Sequence, residues 1–237
     1  MSEVASAVPV APAPALESPW RTGLRGARAN LLPGLVLQVF ALALVLAYYY
    51  HGPTRELLGR LAAYRGETGF AFSLVSTSLF GAVLPLIYLW SSPLTRSRYT
   101  WQQGAVLIVF WALKGVEVDA LYRAMAWLFG TGVDVRTIVL KGFVDQFVYC
   151  PLVAVPGTVL AYEWIESHFS ARTVLADLRA GHWYRRRGLA VLFSSYGVWL
   201  PAVGVIYALP TPLQLPLQNL ELCFYTLLVA HVTKRKH

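Results

Sequence analysis

Apolar residues in this chain come in runs of about twenty, separated by short polar stretches rich in arginine. The runs cover residues 31–50, 69–90, 104–130, 138–164, 189–209 and 213–232. A helix needs about 20 predominantly apolar residues to cross the hydrocarbon of a bilayer. The pattern therefore predicts an all-α, multi-pass transmembrane helical bundle with about six membrane helices. Residues 51–68, with Arg55, Arg60 and Arg65, predict a short interfacial helix, and Tyr48, Tyr49 and Tyr50 before it suit an aromatic belt. Gly69, Ser73, Thr77 and Gly81 recur every four residues, a small-residue stripe against which another helix can pack closely. Residues 91–101 predict a polar turn with Arg96 and Arg98. In residues 166–188, Ser170 is placed to cap a helix whose Val174, Leu175 and Leu178 face the headgroups. Residues 1–19, rich in alanine and proline without a helical period, are expected to be disordered, and 20–237 to form one helical membrane domain.

Polar residues interrupt three of the runs. Residues 138–164 carry Lys141, Asp145, Gln146 and Glu163; on a helical wheel Lys141, Asp145, Tyr149 and Glu163 lie within about 40–80° of one another. Pro151 and Pro156 kink that helix and make Glu163 the least secure member of the stripe. A charge at the centre of a span costs roughly 3 kcal/mol on insertion scales. Lys141 and Asp145, four apart, are placed to offset part of that cost by pairing. Two readings stay open: a structural pair, or one wall of a water-filled passage. The run 104–130 holds Lys114 and Glu117 on one face and Asp119 and Arg123 on nearly the opposite one. Only one of these pairs can line a given pathway, so the other should meet a neighbouring helix or the interface, unless the helix leaves the hydrocarbon near Asp119. In 213–232, Gln214, Gln218, Glu221 and Tyr225 fall within about 60°, a stripe suited either to interhelical hydrogen bonding or to lining a pore.

Composition narrows the class. The chain is 57% hydrophobic and 14% charged, too little charge to cover a soluble domain of 237 residues. Its formal charge of +8 is mostly arginine beside the apolar runs, which points to membrane orientation and away from nucleic acid. With six spans and both termini inside, Arg21, Arg25, Arg28, Arg96, Arg98, Arg172, Arg179, Arg185–Arg187 and Lys234–Lys236 lie on the inner side. Only Arg55, Arg60, Arg65 and Arg136 lie outside, which favours cytoplasmic termini. The cluster Arg185–Arg187 serves orientation or binds a lipid phosphate. Cys150 and Cys223 match no metal or redox spacing, and no metal or cofactor is expected. No HExxH, GxSxG or other intramembrane catalytic pattern is present, so no enzyme is expected. Arginine and alanine in excess over lysine, without a clean organellar presequence, favour a bacterial inner membrane, with an organellar membrane as the alternative.

Lys141, Asp145, Gln146 and Pro151 reproduce a Lys, Asp-Gln, Pro pattern in a central membrane helix, and in this the chain resembles the Mpv/PMP family of small mitochondrial and peroxisomal membrane proteins. Gly115, Tyr122, Leu128 and Gly130 resemble remnants of its upstream Gly-Pro, Trp-Tyr and Leu run. Pro201 and Pro212 fill its later proline positions, with Leu200 in place of tryptophan. The family histidine of the third span is missing, a family arginine is Pro216 here, and the first hundred residues show little of the pattern. The resemblance covers roughly residues 115–232. It implies a compact helical bundle acting as a weakly selective channel for small solutes.

The function expected is thus a channel-like passage whose partners are the lipid bilayer and small solutes. Lys114, Glu117, Lys141, Asp145, Gln146, Gln218 and Glu221 form its polar lining. The alternative is a structural or assembly protein whose buried charges only specify helix packing.

Overall fold

The computed structural model describes residues 31–234 and positions 20, 21, 24, 25 and 28, with side chains through residue 227, Pro33 excepted. The expected disorder of residues 1–19 lies outside the described residues. Every regular element described is a helix: α1 Leu31–Tyr50, α2 Gly52–Thr68, α3 Phe70–Trp90, α4 Trp101–Phe129, α5 Val135–Glu166, α6 Ala171–Arg179, α7 Tyr184–Tyr207 and α8 Thr211–Lys234.

The boundaries follow local chemistry. Pro53 sits in the first turn of α2, where its missing N–H costs nothing, and the chain turns by 100° between α1 and α2. Arg55 reaches back and donates from Nε to the Tyr48 carbonyl at 3.1 Å and from Nη2 to that of Tyr49, satisfying carbonyls at the end of α1. Gly69, at φ 56°, makes the turn into α3 in a region closed to most side chains. Thr100 and Gln103 form a reciprocal capping box at the start of α4. Asp134 caps α5 through Thr137 N at 3.1 Å; its hydrogen bonds to the Thr137 hydroxyl and amide hold its carboxyl below the usual carboxylate range. Ser170 caps α6 as expected, and the side chains of Leu175 and Leu178 on that helix are exposed.

Three helices contain wider π-type turns: Leu79–Val83 in α3, Asp145–Ala154 in α5 and Tyr184–Gly188 in α7. Proline explains two of them. Pro151 lies inside the second and Pro85 follows the first, and each lacks the N–H that the regular ladder requires.

Polarity is distributed inside out. Val39, Leu42, Val75, Val109, Leu113, Phe143 and Leu152 are exposed on outer helix faces, whereas Arg65, Lys114, Asp119, Lys141, Asp145 and Glu221 are buried. Water would reward the opposite arrangement, while hydrocarbon rewards this one. The stripe of Ser73 and Thr77 packs α3 against α4 so closely that a Cβ on Gly115 would lie 2.3 Å from the Ser73 carbonyl oxygen. The stripe is a packing surface, as its spacing predicts.

Three helices, α3, α5 and α7, are long and apolar enough to cross a membrane, and α1 with α2 adds a fourth if that bent pair is one span. This falls short of the six crossings expected. The shortfall lies in the sequence of α4 and α8, where Lys114, Glu117, Asp119 and Arg123, and Gln214, Gln218, Asn219 and Glu221, lower the hydropathy. α4 does not end in a turn near Asp119 but continues unbroken to Phe129.

Candidate functional site

The buried polar groups converge on a seam between α4, α5, α7 and α8. Beside the seam, on the face of α4 turned to α2 and α3, Asp119 is fully buried. It accepts hydrogen bonds from Arg65 of α2, from Ser73 Oγ of α3 at 2.5 Å and from Arg123 Nε at 3.2 Å. Arg65 also donates to the Thr211 carbonyl at 2.7 Å, so one ion pair ties α2, α3, α4 and the start of α8 together. Asp119 and Arg123 are therefore the pair that meets a neighbouring helix.

On the other face of α4, Lys114 Nζ lies 2.6 Å from Glu117 Oε1, which also accepts from the Tyr149 hydroxyl of α5 at 2.5 Å. One wide turn earlier on α5, Asp145 accepts from Tyr207 of α7 at 2.9 Å and from Gln146 Nε2 at 3.0 Å. The Tyr207 ring stands edge-on to the Tyr122 ring, centroids 5.5 Å apart, and the Tyr122 hydroxyl donates to Gln218 Oε1 at 2.5 Å.

Lys141 and Asp145 do not pair. Lys141, 1% exposed, places its ammonium 5.9 Å from the centre of the Tyr207 ring, and the Asp145 carboxylate is taken by Tyr207 and Gln146. The pairing expected from four-residue spacing fails because α5 changes from α to π register at Asp145. Glu163 leaves the stripe too. Arg187 Nη1 lies 2.6 Å from it and 3.2 Å from Asp177, an ion-pair cluster joining α5, α6 and α7.

Glu221 is 0% exposed, and neither carboxyl oxygen has a hydrogen-bond partner. Its position in the bundle follows from helix rise, 1.5 Å per residue. Counted from Thr211, Gln214 lies about 4.5 Å, Gln218 about 10 Å and Glu221 about 15 Å along α8. Tyr122, about 10 Å from the same end of α4, meets Gln218 at the matching level.

Beyond Glu221 the bundle holds a pocket of about 170 Å³. Gly81, Leu107, Trp111, Tyr162 and Tyr225 line it, with Arg98 and Tyr99 from the loop before α4. Tyr225 follows Glu221 by one turn, so the stripe read on α8 runs from the seam into this pocket. In the pocket wall a Cβ on Gly81 would lie 2.8 Å from the Trp111 ring and 3.1 Å from Leu222. At the loop end, Tyr99 donates to Glu166 at 3.0 Å and Arg98 stacks 5.7 Å above its ring. Burial and the Glu166 carboxylate push the Tyr99 phenol well above its ordinary value.

All seven candidate residues lie in or beside the seam: Lys114 with Glu117, Asp145 with Gln146, Gln218 at Tyr122, Glu221 at its inner end and Lys141 over Tyr207. Reasoning from sequence missed Arg65, Ser73, Tyr207 and the Thr77–Asn219 bond of 3.0 Å. The four-residue recurrence of Ser73 and Thr77 was the available signal for two of them. Among the described residues, no three His, Cys, Asp or Glu side chains are grouped to hold a metal. No family model, curated protein or solved structure matches this chain.

Proposed function

We propose that this protein is a six-span integral membrane protein providing a channel-like passage for small solutes, with both termini on the cytoplasmic side of a bacterial inner membrane. In this reading α4 and α8 are also spans. Their 29 and 24 residues would extend about 43 and 36 Å, more than the roughly 30 Å of hydrocarbon, and their ionised groups turn mostly inward. The observation that carries the reading is the row of polar residues on one face of α8, from Gln214 past the unpartnered Glu221 to Tyr225 in the pocket wall. In this reading the pocket is the Arg98 end of the route, and Gly81, Trp111 and Leu222 form its constriction. A divergent Mpv/PMP protein fits this arrangement, since Lys141, Asp145, Gln146 and Pro151 surround the change of register in α5.

A second reading, a packing scaffold, draws on a specific observation: Asp119 is fully occupied by Arg65, Ser73 and Arg123 and has no capacity left for a solute. Flux of sized solutes into liposomes containing the purified protein separates the two. A passage gives flux with a size limit, slowed by a bulkier residue at Gly81; a scaffold gives none.

A further inference from the structure

We infer that the species this passage holds is a single positive charge, a proton or a small monovalent cation, resident at Glu221. The inference rests on the passage reading and names its substrate class. It starts from the kind of polar atom left without a partner. On α8 these are both Glu221 oxygens, Gln214 Oε1 and the Thr211 hydroxyl, and on α5 Gln146 Oε1. All but the Thr211 hydroxyl, which can also donate, are acceptors only; the unpartnered donor Arg65 Nε belongs to the Asp119 node. Oxygens that chiefly accept suit a cation or a proton-bearing solute better than an anion.

The charge count points the same way. The buried cations are Arg65, Lys114 and Lys141; the buried carboxylates are Asp119, Asp145, Glu163 and Glu221, with Glu163 held by Arg187 and the one-third-exposed Glu117 beside Lys114. Arg65 is engaged by Asp119, Lys114 by Glu117, and Lys141 stands over the tyrosine that binds Asp145. Glu221 is left with no cation within ion-pair distance among the described residues. Of the helices packed on α8, α1 and α3 contain no charged residue at all. The arginine of α2 facing it is committed to Asp119 and Thr211, and α4 presents the neutral Tyr122 phenol. A bare carboxylate buried without donor or counter-charge is prohibitively costly, so a positive charge accompanies it. The Gln218 carbonyl, about 4.5 Å away along the axis, supplies a further oxygen.

The test is infrared difference spectroscopy of bilayer-reconstituted wild type against Glu221→Gln at neutral pH, first with choline as the sole cation. The expected result is a carbonyl band of a neutral carboxylic acid that vanishes in the variant. Adding sodium or potassium then distinguishes the sources. A band that persists assigns the site to the proton; a band replaced by carboxylate absorption assigns it to the alkali cation. Should Glu221→Gln fail to fold, wild type is treated with dicyclohexylcarbodiimide, which adds to protonated carboxyl groups, and Glu221 is expected to carry the adduct in choline. Absence of a Glu221-dependent acid band, or of the adduct, in choline overturns the inference. Both readouts report occupancy whether or not solute crosses, so a positive band without flux discards the passage alone.

Discussion

Replacing Asp119 by leucine should be the most damaging single change in the bundle. The substitution leaves the Arg65 guanidinium, 3% exposed, with the Thr211 carbonyl as its remaining acceptor, and it strips Ser73 and Arg123 of theirs. Removing one member of a buried ion pair costs about 3–5 kcal/mol, because the survivor's charge stays buried. For a chain of this size each kcal/mol moves the melting temperature by about 2–4 °C, so a fall of about 6–20 °C is expected. Replacing both residues, as Arg65→Met with Asp119→Leu, removes the stranded charge and should restore more than half of the loss. Arg123→Met removes the half-exposed partner and should cost under about 1 kcal/mol. Thermal unfolding in detergent micelles, followed by tryptophan fluorescence, compares wild type with Asp119→Leu, Arg65→Met, their double substitution and Arg123→Met. A double substitution that loses the full sum of the two single losses would refute the reasoning.

Three further outcomes follow from the same contacts. Lys141→Met and Asp145→Leu, which share Tyr207 but no ion pair, should couple by less than about 1 kcal/mol in a double-mutant cycle; coupling as large as that of Arg65 with Asp119 would restore the pairing read from their spacing. Gly115→Ala should destabilise, since its Cβ would meet the Ser73 carbonyl at 2.3 Å, whereas Gly66→Ala on α2, with nothing within 4 Å, should leave stability unchanged or raised by about 0.4–1 kcal/mol. The cap at Asp134 is a matter of pH. Its folded value is depressed, so its contribution is present above the ordinary carboxylate range and is lost as pH falls through the folded value; amide exchange at Thr137 should accelerate only in that acid window, and Asp134→Ala should abolish the step.

Helix positions were legible because each depends on a local run. Leu31–Tyr50 coincides with its apolar stretch, and the cap at Ser170 stands where a short polar side chain precedes a helical period. The inward stripe of α8 was legible for the same reason, a period of 3.6 on one helix. Pairings between helices were not. Arg65 and Asp119 are 54 residues apart, and no local rule reveals that an arginine in a supposed headgroup helix is buried. Lys141 and Asp145 show the opposite error. A rule for regular helices was applied across the point where Pro151 draws the chain into wider turns and Asp145 swings to Tyr207. The expected count of six exceeds the three or four helices long and apolar enough to cross a membrane because the runs of α4 and α8 carry several charged and amide side chains.

The reversal potential of the reconstituted protein under a salt gradient tests the passage most directly. Wild type should conduct, with a potential displaced toward that of the cation. Glu221→Gln should move it toward zero, since a charge in a narrow, poorly screened route weighs several times more than in bulk water. Absence of conductance in wild type, with Glu221→Gln changing only the melting temperature, would contradict the passage and leave the bundle a scaffold.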